Sequence, residues 1–252
     1  MRMTGNSIFM TGGGSGIGRG LAEAFHRLGN TVIISGRRKD RLQAVIDANP
    51  GMDSIELDVT DPDAILRVAG ELVARHPALN ILMNNAGIML IDDAAGAVDE
   101  TVLTSTMETN ILGPIRLSAA LLPHLRARPD AVIVNVTSVL GFVPLVPTAI
   151  YSATKAALHS YTLSQRYALR SSGIQVIELA PPWVRTELLN STEEERAMPL
   201  DAFIEGAMAQ FALGADEILV GQAEQMRANP GPAEHAWVTE FNDQMTSGPA
   251  LG

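Results

Sequence analysis

Short apolar segments alternate with longer amphipathic segments from the first residues to about position 180 of the chain. The apolar segments are rich in β-branched residues, lack strict alternation with polar residues and are bounded by turn formers. This pattern is typical of strands that are buried on both faces of a parallel sheet. We predict six such strands, at residues 7–10, 31–35, 54–57, 81–83, 131–136 and 174–179.

The amphipathic segments have the 3.6-residue periodicity of helices that pack on a core. The predicted helices span residues 17–28, 40–49, 63–75, 100–126 and 148–171, and the fourth is expected to be two helices that meet near Gly113 and Pro114. Repeated strand–helix–strand units require right-handed crossovers, so the pattern predicts a doubly wound parallel α/β sheet in three layers. Ligands of such sheets bind beyond the carboxyl ends of the strands.

The hydrophobic pattern weakens after Leu179, where Pro181 and Pro182 begin an irregular segment. Helices are predicted near residues 201–212 and 216–226, and the part after Asn229 is polar and interrupted by proline. Residues 217–221 are apolar but few, so a seventh strand is doubtful. No linker or repeat divides the chain, and we predict one domain over residues 1–252.

Composition excludes several classes of function. A net charge of −10 argues against a nucleic-acid partner, which needs a concentrated basic surface. The chain has no cysteine, and its five histidines show no ligand spacing, so we expect no metal site. No apolar segment approaches the roughly 20 residues of a membrane helix, and the N-terminus has no signal-peptide pattern, so we expect a cytoplasmic protein that does not bind membranes.

A glycine-rich turn at residues 11–18 follows the first predicted strand and opens the first helix. Glycines let the backbone approach a pyrophosphate at the positive end of a helix, so this context predicts a Rossmann-type dinucleotide site; a simple tight turn is the alternative. The second strand ends in Gly36, Arg37 and Arg38, where an NAD-binding chain would carry an acidic residue. A guanidinium matches the 2′-phosphate of NADP, although a solvated charged turn is the competing interpretation.

Tyr151 and Lys155 stand four residues apart at the start of a predicted helix, and therefore on one face of it. Ser138 ends the fifth strand and is expected at the same edge of the sheet. Taken alone, each residue has an ordinary structural explanation. Together they form an acid–base constellation, since an ammonium group lowers the pKa of a nearby phenol and a hydroxyl group polarises a substrate oxygen.

Over residues 4 to about 190 the chain resembles the short-chain dehydrogenase/reductases, in the single-domain branch of about this length. The resemblance is carried by residues 11–18, Asp58-Val59, residues 84–87, Asn110, Ser138, Tyr151-x-x-x-Lys155, and Pro181 with Thr186. The opening Thr4-Gly5-Asn6 and the turn at residues 35–38 resemble a DltE-like subgroup. Pro182 departs from the family, which usually has glycine there.

The resemblance implies roles for individual residues. Asn110 would order water beside Lys155, with a helix-kink residue as the alternative for Asn110. Lys155 would also bind the nicotinamide ribose. Asp58 would contact adenine, with a turn cap as the alternative for Asp58. The expected NADP contacts are Gly12, Gly14, Ser15, Gly16, Ile17, Gly18, Arg37, Arg38, Asp58, Val59, Asn85, Ala86, Gly87, Tyr151, Lys155, Pro181, Val184 and Thr186. Asn84 is expected to stabilise the sheet instead.

These residues together predict an NADP(H)-dependent oxidoreductase that interconverts a ketone or aldehyde and an alcohol. Its cofactor part covers about residues 1–135, its catalytic part 136–185, its substrate lid 186–212 and a helical tail 213–252.

Apolar residues Leu140, Val146, Trp183 and Leu188 predict a hydrophobic substrate, although some could be core or dimer contacts. A non-catalytic NADP(H)-sensing protein is the alternative. We expect a homodimer through residues 112–125 and 151–169, with a tetramer left open.

Overall fold

The structure, a computed structural model, describes residues 1–228 and 231–247. Within these residues, seven strands form one parallel sheet in the order β3-β2-β1-β4-β5-β6-β7. They are β1 (Ser7–Thr11), β2 (Thr31–Gly36), β3 (Asp53–Glu56), β4 (Ile81–Asn84), β5 (Val132–Val136), β6 (Gln175–Ala180) and β7 (Glu217–Leu219). The strand order changes direction at β1, which lies between β2 and β4, so a crevice opens at the carboxyl ends of these strands.

Helices cover both faces of the sheet, which confirms the predicted doubly wound fold. They are α1 (Gly16–Arg27), α2 (Lys39–Ala48), α3 (Pro62–Arg75), α4 (Glu100–Met107), α5 (Gly113–Arg126), α6 (Ala149–Leu169), α7 (Leu200–Leu213), α8 (Ala223–Arg227) and α9 (Glu234–Thr246). The segment at residues 100–126 is divided as predicted, because a π-helical turn at Glu108–Leu112 separates α4 from α5. None of the helices in the described part of the chain is long and apolar enough to cross a membrane.

Each face of the sheet has its own apolar core. Helices α1, α2 and α7 pack on one face, and α3, α5 and α6 pack on the other. On the first face, Phe25 and Phe211 are fully buried and meet edge to face with ring centroids 5.6 Å apart. Because both faces are covered, most strand residues are buried and apolar, and polar side chains buried within the strands, such as Asn135 of β5 and Glu178 of β6, have hydrogen-bond partners.

The C-terminal part corrects the sequence interpretation. The segment 216–226, predicted as one helix, contains the strand β7 and then the short helix α8. The doubted seventh strand exists, because the fully buried Ile218 fills the core beside Leu179 of β6. A further helix, α9, follows in the part of the chain that was predicted only as a helical tail, without bounds for any helix after Asn229. Asn229, Pro230 and residues 248–252 of the tail lie outside the described residues.

Candidate active site

The carboxyl ends of strands β1 to β6 surround a cavity of about 900 Å³. All but two of the residues predicted for the site line it. They are Gly12, Gly14, Ser15, Gly16, Ile17, Gly18, Arg37, Arg38, Asp58, Val59, Asn85, Ala86, Gly87, Ser138, Leu140, Tyr151, Lys155, Pro181, Trp183, Val184, Thr186 and Leu188. The two that are absent from its wall are Asn110 and Val146.

The glycine-rich turn has the shape that a pyrophosphate site requires. Gly12 has a φ of 68°, and a Cβ on it would lie 2.9 Å from Ala86 Cα. The side chain of Ser15, at the N-cap of α1, does not cap the helix, and the first turn carries no acidic residue. By contrast, Asp61 caps α3 through the N–H groups of Asp63 and Ala64. The first N–H groups of α1 are therefore available to an anion.

Three arginines lie at the β2 side of the cavity, and two of them are engaged. Glu187, in the segment after β6, pairs with Arg41 at 2.7 Å and with Arg38 at 3.6 Å. Arg37 is exposed and forms no ion pair within residues 1–228 and 231–247. Its guanidinium is thus the free cation at the position where the sequence predicts a 2′-phosphate. Arg41 and Glu187 were missed, since only the fold brings them together.

The asparagines after β4 have structural partners. Asn84 is buried and donates to Ser118 Oγ and Asn135 Oδ1, both at 2.9 Å, so it stabilises the sheet. Asn85 donates to the carbonyl of Thr11 at 2.9 Å and so holds the glycine-rich turn. The turn cap is the alternative that applies to Asp58: its Oδ1 accepts from the Thr60 N–H at 3.0 Å and from the Thr60 hydroxyl at 2.9 Å. Asp58 nevertheless lines the cavity.

Ser138, Tyr151 and Lys155 meet at the end of β5. All three are buried, and Ser138 accepts from the Leu140 N–H at 3.1 Å. Ser138 lies close enough to Tyr151 to influence the pKa of its phenol, and the ring centroid of Tyr151 lies 5.5 Å from Lys155 Nζ. Lys155 donates to the carbonyl of Val136 at 2.8 Å. The position of α6 beside β5 therefore assembles the predicted acid–base group.

Burial dominates the protonation of this group. It raises the pKa of Tyr151 to about 12, and the hydrogen bond from Ser138 opposes part of that rise. Burial also lowers the pKa of Lys155 to about 8. Lys155 was expected to lower the pKa of the phenol, but among the groups described here desolvation outweighs that effect.

Asn110 lies in the π-helical turn between α4 and α5 and is fully buried. Its Oδ1 accepts from the Ile88 N–H at 2.9 Å, and its Nδ2 donates to Thr154 Oγ1 at 3.1 Å. A Cβ on Gly87 would lie 3.3 Å from Asn110 Oδ1 and 3.5 Å from Lys155 Nζ. Asn110 therefore lies behind Lys155, outside the cavity wall, and both interpretations made from the sequence, kink residue and neighbour of Lys155, describe its position.

On the substrate side, the apolar wall contains three of the four predicted residues. Val146 is 55% exposed and lies outside it, because its backbone N–H donates to Asn242 Oδ1 of α9. Arg185 also lies outside the wall, and its guanidinium donates to the carbonyls of Glu194 and Ala197. Arg196 and several α9 residues line the cavity and were missed. The spacing of Trp237, Phe241 and Met245 was a signal that could have found α9.

A polar cluster under Phe142 brings one histidine to two carboxylates. His159 Nδ1 lies 2.8 Å from Glu178 Oε2, and ligand-type atoms of His159, Glu178 and Glu217 lie within 4.8 Å of one another. Each carboxylate has a protein donor besides: the Thr137 hydroxyl on Glu178 at 2.7 Å and the Arg227 guanidinium on Glu217 at 2.8 Å. The cluster therefore forms a hydrogen-bonded network of protein groups that ties α6 and α8 to the sheet.

The chain matches the family model for short chain dehydrogenases over residues 6–197. This match covers well over half of the chain and spans the glycine-rich turn, the acid–base group and the start of the lid. The chain belongs to the short-chain dehydrogenase family. A nicotinamide cofactor is what this family binds, and the cavity residues of this member fit one, because the uncapped N-terminus of α1 and the glycine-rich turn leave room for its pyrophosphate.

Individual members are similar over most of their length. The uncharacterized oxidoreductase DltE of Bacillus subtilis is 38% identical over 90% of this chain and 92% of its own. A sulfoacetaldehyde reductase of Chromohalobacter salexigens is 34% identical over 87% and 85%. A solved short chain dehydrogenase from Burkholderia cenocepacia in complex with NADP has a TM-score of 0.84 at 28% identity over 94% and 99%. One from Burkholderia phymatum in complex with NAD, at 20% identity over 94% and 97% and a TM-score of 0.83, shares the fold.

Proposed function

We propose that this short-chain dehydrogenase is an NADP(H)-dependent oxidoreductase that interconverts a ketone or aldehyde and an alcohol. The placement of Ser138, Tyr151 and Lys155 together in the wall of one cavity is the observation that carries the proposal. The proposed substrate is a hydrophobic carbonyl compound. Consumption of NADPH with a panel of aliphatic, aryl and hydroxy-acid carbonyls tests the activity directly, and no consumption with any of them would contradict it.

The residues divide the reaction between them. When bound, the nicotinamide supplies the hydride to the carbonyl carbon or takes it back. Tyr151 gives its proton to the carbonyl oxygen, so the product is a neutral alcohol and the residue left behind is a phenolate. The ammonium of Lys155 stabilises that phenolate, and Ser138 holds the substrate oxygen as negative charge develops on it. Asn110 keeps Lys155 in position through the Ile88 loop and α6, and connects it to a proton relay.

The choice of NADP over NAD rests on Arg37. We expect Arg37→Ala to raise the KM for NADPH about tenfold or more and to change the KM for NADH about twofold at most, because only NADPH carries a 2′-phosphate for the guanidinium. Steady-state kinetics with both cofactors measures the effect. Lys39→Ala is the matched control, since Lys39 pairs with Glu56 and does not line the cavity. Equal losses with both cofactors would make Arg37 a general surface charge.

The pKa of Lys155 predicts an alkaline limb in the pH profile. Reduction requires the ammonium form of Lys155. Because burial lowers the pKa of Lys155 to about 8, this form is present at a pH below about 8 and is lost as the pH rises above it. We therefore expect kcat/KM for carbonyl reduction to fall as the pH rises through about 8, since this parameter reports groups of the free enzyme. A profile from pH 6 to 10 in buffers of constant ionic strength checks it. A flat profile up to pH 10 would show that Lys155 stays charged or is not needed.

A non-catalytic NADP(H) sensor is the second candidate function. It needs the cofactor cavity but has no use for Ser138, Tyr151 and Lys155 in one group, which favours the enzyme. The two are separated by the carbonyl panel with the wild-type protein: a sensor binds NADPH and consumes none.

We also propose that the protein is a homo-oligomer, because α6 exposes Leu163 and Tyr167, which are 43% and 68% accessible.

A further inference from the structure

Helix α9 presents an aromatic stripe to the substrate side of the cavity. Trp237, Phe241 and Met245 recur every fourth residue, so they share one face of the helix, and all three line the cavity that contains Tyr151. Trp237, Val238 and Phe241 also pack against the cluster formed by Phe142, Val143 and Ala180. The helix is thus a wall of the same cavity that holds the acid–base group.

A buried side chain fixes α9 to the catalytic loop. Asn242 is 8% exposed; its Oδ1 accepts from the Val146 N–H at 2.6 Å and its Nδ2 donates to the Pro144 carbonyl at 2.9 Å. Pro144 and Val146 lie in the loop that joins Ser138 to Tyr151. The position of the stripe relative to the acid–base group is therefore set by paired polar groups as well as by apolar packing.

The charges near the lid do not favour an anionic substrate. Arg196 lines the cavity, but its guanidinium is held by Glu194 through contacts of 2.9 and 2.7 Å and lies 5.1 Å from the ring centroid of Trp183. Helix α9 adds Glu240, a carboxylate, to the wall. A carboxylate or sulfonate on the substrate would meet apolar rings, an arginine already neutralised and a like charge.

We infer that α9 is the specificity wall of this enzyme, and that it selects neutral carbonyl compounds with an aryl or bulky aliphatic body that packs on Trp237 and Phe241. The inference rests on the proposed function and deepens it, since it assigns the substrate class to the C-terminal helix. An aromatic wall binds such a body because the two bury apolar area against each other and the rings can stack or meet edge to face. A short or charged carbonyl compound buries little apolar area there and has no ring to pack.

The test compares acetophenone, propanal and sulfoacetaldehyde as substrates of the full-length protein with NADPH. We expect the wild type to have the highest kcat/KM with acetophenone. Phe241→Ala should raise the KM for acetophenone about tenfold, while the KM for propanal and for NADPH changes about twofold at most. Phe241→Leu keeps an apolar side chain and should give an intermediate KM. Asp243→Ala, on the exposed side of α9, is the matched control and should match the wild type.

Calorimetry separates this inference from the proposed function. Acetophenone is titrated into protein saturated with NADP⁺, a mixture that cannot turn over because both partners are oxidised. Weaker binding to Phe241→Ala than to wild type or Asp243→Ala supports the wall even if no carbonyl is reduced. Unchanged acetophenone binding in a Phe241→Ala protein that melts cooperatively overturns it. So does a higher kcat/KM for sulfoacetaldehyde than for acetophenone.

Discussion

Tyr151→Phe is expected to lower kcat about 10³-fold while the Kd for NADPH changes about twofold at most. The variant removes the hydroxyl group whose proton the carbonyl oxygen receives. It keeps the aromatic ring, and the residue at this position is almost fully buried. Because the hydrogen bond with Ser138 is also lost, part of the effect comes from a less ordered hydroxyl on Ser138. Single-turnover kinetics with preformed protein–NADPH complex measures the chemical step, and fluorescence titration measures cofactor binding.

Tyr167→Phe provides the control for this variant. Tyr167 lies on the same helix, α6, but is 68% exposed and far along the chain from the acid–base group. Loss of its hydroxyl should leave kcat and the Kd for NADPH unchanged. Retained turnover in Tyr151→Phe would reject the acid–base assignment and leave the sensor interpretation open.

Gly18→Ala is expected to have the second large effect, on the cofactor site and on stability together. A Cβ at this position would lie 2.3 Å from the carbonyl oxygen of Gly12 and 2.4 Å from Asn85 Nδ2. Because the first contact is backbone, the glycine-rich turn must move away from α1 to admit the methyl group. We expect a loss of about 1–3 kcal/mol in the free energy of unfolding and about a hundredfold weaker NADPH binding.

The same substitution on α3 is the control. Gly70 is exposed, and a Cβ there would have nothing within 4 Å. Gly70→Ala should raise the melting temperature slightly, since alanine is the better helix former by roughly 1 kcal/mol. Thermal melts and fluorescence titrations of the two variants side by side separate the contact at Gly18 from a general effect of alanine. Normal cofactor affinity in Gly18→Ala would mean that the turn is not the pyrophosphate site.

The elements that could be predicted are those whose burial produces a clear hydrophobic pattern in the sequence. Most strands covered on both faces are predominantly apolar and lack strict alternation with polar residues, so the first six were found within one or two residues of their observed ends. Strand β7 was doubted because three residues at a sheet edge carry little periodic signal; only its neighbour β6 and helix α7 make Ile218 a core residue. The tail was predicted as helical, but the bounds of α9 were not, because its apolar face is narrow and is completed by residues distant in sequence.

The site was predictable where one local segment carries the chemistry. The glycine-rich turn and the Tyr151–Lys155 spacing are each readable within eight residues. The bridge from Glu187 to Arg38 and Arg41 joins segments about 150 positions apart, and no local pattern predicts it. The pKa values could not be predicted either, since the balance between the Lys155 charge and the burial of Tyr151 depends on how completely the cavity wall excludes water.

The segment that contains Glu187 connects the two halves of the cavity. Glu187 follows Thr186, expected at the cofactor, and precedes Leu188 on the substrate side, so one short segment touches both halves of the cavity. A ligand that orders this segment from the cofactor half of the cavity makes binding in the substrate half more favourable. The same coupling acts in the opposite direction, because such linkage is reciprocal. We therefore expect the dinucleotide and the carbonyl compound each to raise the affinity of the protein for the other.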